Sequence, residues 1–284
     1  MEVLYWKKIR KSKNIHGEVF HLKLKGLLID LDGSIYRGDT PLHYSKEFIE
    51  FLRERNVKFI FLTNNSTKLP EEYVEKLGKM GISSNIDEIL TSGIATAIYL
   101  KKIKNQGTAY VIGEKALKKV ISDIGWKLCE DEDIVDSVVV GLDREFTFEK
   151  LRKANYYIRN GAKFIATNPD KTFPTENGID PGAGSLVVAV SAASQKRPFV
   201  IGKPSPYMGK IAIEKLGLNL EEVGVIGDRI DTDIYFGKRL KVKTFLLLTG
   251  VTLRKDLEKS KIKPDFVFEN LEYLVKFLKE HLEK

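Results

Sequence analysis

Apolar residues in this chain follow two alternating rhythms. Short, almost unbroken apolar runs of strand length alternate with longer stretches in which apolar residues return every three or four positions. KGLLIDLD (25–32) predicts a strand, and YSKEFIEFLRERN (44–56) a helix with Phe48, Ile49, Phe51 and Leu52 on one stripe and charges opposite. KFIFLTNN (58–65) predicts a second strand. PEEYVEKLGKMG (70–81) reads as a helix, with Pro70 suited to its first turn and Gly81 to its end. DEILTSG (87–93) makes a third strand, followed by a helix through Lys102.

After Asn105-Gln106-Gly107 the alternation restarts with TAYVIG, EKALKKVISDIG, WKL, DSVVVGLD, FEKLRKANYYIRNG and KFIATNPD. A Gly- and Pro-rich stretch, TFPTENGIDPGAG (172–184), precedes the helical SLVVAVSAAS, and PFVIGKPSP (198–206) leads into a helix through Gly217. EVGVIGD (222–228) and KTFLLLTG (243–250) are strands, and DFVFENLEYLVKFLKEHLEK supplies one more strand and a closing helix. The expectation is an α/β fold. Strands ending at Asp32, Asn65, Gly93, Asp228 and Gly250 share one parallel sheet, interrupted by a second α/β series at 104–197.

Composition narrows the function. The 284 residues leave room for one large domain or two ordinary ones, and 43% hydrophobic with 30% charged residues excludes a disordered chain. Net charge is +8, but residues 1–25 alone hold seven Lys/Arg against two Glu. The rest is nearly balanced, so a basic nucleic-acid-binding face is not expected, and residues 1–23 read as a basic, solvated N-terminal extension. No apolar stretch approaches the roughly 20 residues that span a bilayer, and MEVLYWKKIRKSK lacks the apolar centre of a secretory signal, so no membrane partner and a cytoplasmic location are expected. Cys129 is the only cysteine, which rules out an internal disulfide and thiolate metal clusters and leaves carboxylates as candidate metal ligands.

In open α/β sheets the working residues lie just past the carboxyl ends of the strands. That rule brings Asp30, Asp32, Thr63, Asn64 and Asp228 to one rim. Clustered carboxylates raise one another's pKa, and a hard divalent cation offsets that cost. Mg²⁺ typically takes one or two carboxylates together with substrate phosphate. Asp30 and Asp228 are the candidate direct ligands, and a bend at Gly33 lets Asp32 offer its backbone carbonyl. Thr63, Asn64 and Asn65 supply donors for phosphoryl oxygens and Lys203 a point charge. With the oxygens neutralised, a carboxylate can attack phosphorus.

DLDGSIYRGD, LTNNSTK, IGKPSP and GDRIDTD, in that order, resemble the four motifs of haloacid dehalogenase-like phosphatases. ATNPD and PGAGSL resemble the branch with 4-nitrophenylphosphatases, phosphoglycolate phosphatases and pyridoxal phosphate phosphatases. The resemblance covers roughly residues 24–275. It implies a Rossmann-like parallel-sheet core at 24–103 and 198–284 with an inserted α/β cap at 104–197, and a Mg²⁺-dependent hydrolysis of small phosphomonoesters through an aspartyl-phosphate.

By the same resemblance Asp30 is the nucleophile and Asp32 the general acid/base, while Thr63, Asn64 and Lys203 bind phosphate. Asp228 binds the metal, with Asp233 as its supporting partner. The loop beginning at Asn168 would face the substrate, making Asp170, Phe173 and Glu176 candidate specificity residues. Pyridoxal phosphate phosphatases have a histidine where this loop has Phe173, which counts against that substrate. Caps of this branch often supply dimer contacts, so a homodimer through the cap is one option the resemblance opens. Two other readings share the carboxylate cluster: a phosphotransferase using the same intermediate, and a signalling module phosphorylated on Asp. The four histidines, His16, His21, His43 and His281, lie outside the motifs and speak against histidine chemistry.

Overall fold

The computed structural model describes residues 21–175 and 178–283. Most of the basic extension therefore lies outside the described residues. The chain forms β1 (Gly26–Asp30), a small hairpin of β2 (Tyr36–Arg37) and β3 (Thr40–Pro41), β4 (Lys58–Thr63), β5 (Ile89–Thr91), β6 (Thr108–Ile112), β7 (Lys127–Leu128), β8 (Ser137–Val140) and β9 (Lys163–Ala166). It continues through β10 (Thr172–Thr175), β11 (Gly178–Pro181), β12 (Phe199–Val200), β13 (Val223–Gly227), β14 (Lys243–Leu247) and β15 (Phe266–Phe268). Helices join most of these strands.

Two compact units result. Among the described residues, one gathers 21–62, Val74–Ile89 and 209–283; the other gathers Thr63–Tyr73 and Leu90–Met208. The six-stranded sheet runs in the order β15-β14-β13-β1-β4-β5, with parallel pairing from β15 through β4. Its strands are nearly all apolar because helices cover both faces. Leu27, Leu28 and Ile29 of β1 are fully buried, as are Ile226 of β13 and Phe245 to Leu247 of β14. The helix Ser45–Glu54 buries the stripe read from the sequence, Phe48, Ile49, Phe51 and Leu52. A second, five-stranded sheet runs β12-β9-β8-β6-β7, again parallel throughout. The helices Phe148–Arg159 and Ala183–Ser194 supply Ala154, Tyr157, Ile158, Val187 and Val190 to the same core as its strands. A parallel core sheet with a separate inserted parallel α/β sheet is thus the observed architecture.

Some boundaries differ from the periodicity, each for a local reason. The first strand stops at Asp30 because the chain turns at once: Ser34 and Ile35 donate to the Leu31 carbonyl, and Gly33 takes φ +86°. The third strand stops at Thr91, whose hydroxyl accepts from Ile94 N–H at 3.1 Å and starts the helix Ser92–Ile103 with Gly93 inside it. The Gly- and Pro-rich stretch is an antiparallel ribbon of β10 and β11, in which Thr172 pairs with Pro181 and Phe173 with Asp180. Prolines are tolerated there because a two-stranded ribbon has an unpaired side.

Candidate active site

Three carboxylates converge in the first unit. Asp30 closes β1, while Asp228 and Asp233 follow β13, and one oxygen from each lies within 4.8 Å of the others. Asp228 and Asp233 are each only 1% exposed. The chain reaches Asp233 through a single π-helical turn, Ile230–Ile234, in which Ile234 N–H donates to the Arg229 carbonyl at 3.1 Å. Asp233 Oδ2 accepts from Arg229 N–H at 3.1 Å, and Asp228 Oδ2 accepts from Val251 N–H at 2.6 Å.

Glycines make room for this cluster. A Cβ on Gly33 would fall 2.7 Å from the Asp228 carboxyl carbon, and one on Gly227 or Gly250 would collide with Asp233 or Asp228. An all-oxygen donor set held this closely, in a cradle that side chains would fill, fits a hard divalent cation. Asp231, beside them in sequence, instead points its carboxylate at the Arg229 guanidinium, 2.8 Å from Nη2.

Asp32 lies in the turn between β1 and β2, bridged to Tyr36. Its surface is exposed, yet enough protein surrounds the carboxyl that partial removal from water raises its pKa above the usual range. Lys76 and Arg37 oppose that rise. Lys76 is itself engaged, with its ammonium 3.1 Å from Asp39 and 4.2 Å from the centre of the Tyr36 ring.

The remaining candidates gather in the second unit around Asn64. Its side-chain oxygen accepts from Lys203 N–H at 2.8 Å, while its amide nitrogen donates to the Lys203 carbonyl and to Asp170 Oδ2, both at 2.8 Å. The Asn64 carbonyl accepts from Ser92 Oγ and from Asn168 Nδ2, each at 2.6 Å. Asn64 therefore works as a bracket for the backbone of Lys203 and for the loop after β9. Lys203 is 3% exposed. Asn65 spends its side-chain oxygen on Thr67, accepting from both N–H and hydroxyl at 2.8 Å, and donates its own N–H to the Thr63 hydroxyl at 3.1 Å. Phe173 sits half-buried on β10, and Glu176 lies outside the described residues.

Sequence reading missed Asn168, Ser92 and Gly202 in this bracket. Gly202 alone leaves a mark in the sequence: a Cβ there would fall 2.5 Å from Asn64 Oδ1, so only glycine fits before the lysine.

A haloacid dehalogenase-like hydrolase signature matches residues 27–127, and a second, HAD-hydrolase-like signature matches 200–274. An acid sugar phosphatase of Staphylococcus saprophyticus is 40% identical over 256 residues, which is 90% of this chain and 98% of that protein. The chain belongs to the haloacid dehalogenase-like hydrolases.

Two solved structures place this haloacid dehalogenase-like enzyme more closely. The 4-nitrophenylphosphatase of Thermotoga maritima superposes with a TM-score of 0.85 at 39% identity, over 89% of this chain and 97% of that one. The p-nitrophenyl phosphatase of Archaeoglobus fulgidus gives 0.86 at 36% identity, over 90% and 99%. The capped branch with the 4-nitrophenylphosphatases, expected from the motifs, is therefore the right one. Among the described residues no helix is long and apolar enough to cross a membrane.

Proposed function

We propose that the chain is a Mg²⁺-dependent phosphomonoester hydrolase of small phosphorylated metabolites, with sugar phosphates first among them. The observation that carries this reading is the meeting of Asp30 with Asp228 and Asp233, within 4.8 Å, from opposite ends of the sequence. The acid sugar phosphatase name of the Staphylococcus relative and the nitrophenylphosphatase names of the structural relatives support the substrate class.

In this reading Asp30, Asp228 and the backbone carbonyl of Asp32 hold the cation, with Asp233 fixing the arrangement. When bound, Mg²⁺ supplies positive charge against the phosphoryl oxygens. Thr63 and the main chain that follows donate to those oxygens, and Lys203 adds its charge, oriented by the Asn64 bracket. An Asp30 oxygen attacks phosphorus in line, and the bond to the leaving oxygen breaks as protonated Asp32 delivers its proton there. Asp32 then takes a proton from water, and that water attacks the aspartyl-phosphate to release phosphate and restore Asp30. The raised carboxyl of Asp32 is shifted in the direction a proton donor needs.

Residues 104–197 serve as a cap that excludes water from the attack, and Asp170 and Phe173 contribute to the choice of leaving group. A homodimer through the cap and a cytoplasmic location complete the proposal; light scattering on the purified protein tests the first.

The decisive experiment is phosphate release across sugar phosphates, glycerol phosphates, phosphoglycolate and nucleoside monophosphates with Mg²⁺, ranked by kcat/KM. The reading predicts sugar phosphates at the top and no turnover in EDTA. Turnover unchanged in EDTA, or phosphate appearing only on an added alcohol acceptor and never free, overturns it.

A further inference from the structure

The segment that follows β14 touches both loops that carry the carboxylates. Thr249 Oγ1 donates to the Gly33 carbonyl at 2.6 Å, and the Thr249 carbonyl accepts from Arg37 Nη2 at 2.5 Å. Two residues on, Val251 N–H donates to Asp228 Oδ2 at 2.6 Å, and Thr252 N–H donates to the Asp228 carbonyl at 3.2 Å. Thr252 is 5% exposed, and its hydroxyl accepts from Ile230 N–H at 3.2 Å. Thr249, Val251 and Thr252 thus tie the turn after Asp30 at one end to Asp228 and Ile230 at the other. Gly250 lies between them, where any Cβ would collide with Asp228.

We propose that Thr249 and Thr252 are positioning residues of the cation site, setting how far apart the Asp30 and Asp228 carboxylates stand and hence the site's affinity and selectivity for Mg²⁺. This inference rests on the proposed function and deepens it. Without a cation, carboxylate oxygens within 4.8 Å repel one another, and the loops that carry them tend to spread. The 249–252 segment opposes that spread through hydrogen bonds to the main chain of both loops. Partners that orient metal ligands without touching the metal are worth roughly 10–100-fold in affinity. Mg²⁺ requires near-ideal octahedral geometry, whereas Ca²⁺ accepts longer and less regular contacts. Loosening the segment therefore weakens Mg²⁺ more than Ca²⁺. A role confined to loop stability would lower thermal stability and leave the preference between the two ions alone.

The test is calorimetric titration of the full-length protein with MgCl₂ and separately with CaCl₂, alongside melting in EDTA. The proteins are the wild type, Thr249→Val, Thr252→Val and the hydroxyl-retaining Thr249→Ser and Thr252→Ser. Each valine variant is expected to bind Mg²⁺ roughly tenfold more weakly. The loss for Ca²⁺ is expected to be clearly smaller, with the serine variants restored; Thr249→Val melts near wild type in EDTA, while Thr252→Val, which leaves the Ile230 N–H unpaired, melts somewhat lower. Wild-type Mg²⁺ affinity in both valine variants overturns the inference. So does an equal loss for both ions accompanied by a lower melting temperature. A wild-type protein that binds no Mg²⁺ would instead overturn the proposed cation site itself, so the two failures are distinguishable.

Discussion

Gly202→Ala puts the Asn64 bracket under a defined load. A Cβ there would sit 2.5 Å from Asn64 Oδ1 and 2.6 Å from the Thr167 carbonyl oxygen, where ordinary contact begins at 3.4 Å. Relief therefore needs about 0.8–0.9 Å of movement. The Thr167 oxygen is main chain and already accepts from Gly202 N–H at 2.8 Å, so it gives little. The cheaper path rotates Asn64 or pushes the 202–203 segment aside, and either opens the pairing that Asn64 makes with Lys203 N–H. Overpacking of this kind costs about 1–3 kcal/mol of stability, which a domain of this size tolerates. On the proposed mechanism Lys203 contacts the phosphoryl group, and a displacement on the order of 1 Å at such a group can cost up to roughly 100-fold in rate. Steady-state hydrolysis of p-nitrophenyl phosphate with Mg²⁺ is expected to show kcat/KM down by roughly 30–100-fold, with weaker inhibition by inorganic phosphate. Circular dichroism is expected to stay native. A variant that keeps kcat/KM within about twofold of wild type while folding normally would refute the idea that the bracket sets the lysine's position.

Gly78→Ala is the matched control: no atom lies within 4 Å of its would-be Cβ, it sits in the helix Pro70–Lys79, and thermal unfolding should show a gain of about 0.5–1 kcal/mol with unchanged kinetics. Asp30→Asn is expected to lower kcat by at least roughly a thousandfold while melting in EDTA is unchanged or raised, since one of three clustered charges is gone. Asp265→Asn addresses acid stability. Burial pushes the Asp265 carboxyl up, but the Lys238 ammonium at 2.7 Å and the Thr244 N–H and hydroxyl outweigh it and leave its pKa lowered. A lowered folded-state pKa gives stability that is present above the unfolded value near 4 and lost as pH falls through the folded one. Denaturant melts of the wild type should therefore weaken below about pH 4 more steeply than those of Asp265→Asn, which start weaker at pH 7.

Much of this was legible because parallel strands write themselves plainly. GLLID and VGVIG are buried on both faces, so their apolar runs end where the chain emerges, and the aspartates at those ends mark the site. The helix stripe of Phe48, Ile49, Phe51 and Leu52 was equally direct. What escaped was set by the main chain. The bracket around Asn64 depends on carbonyls and N–H groups that every residue carries, so nothing in the letter N announces it. The π-helical turn that delivers Asp233 has no compositional mark, and the part played by Thr249 to Thr252 follows from hydrogen bonds to residues more than 200 positions away or to Asp228 and Ile230. The β10–β11 ribbon was hidden because its prolines and glycines read as a loop.

The solitary thiol of Cys129 opens an experimental route. It is 3% exposed, and burial together with Glu132 pushes its pKa up, so alkylating reagents meet an inert background. One cysteine added on each compact unit would then take a fluorophore pair or spin-label pair without first removing anything. Inter-label distances recorded with and without substrate would then test the cap closure of the proposed function, in the unaltered sequence apart from the two labelled positions.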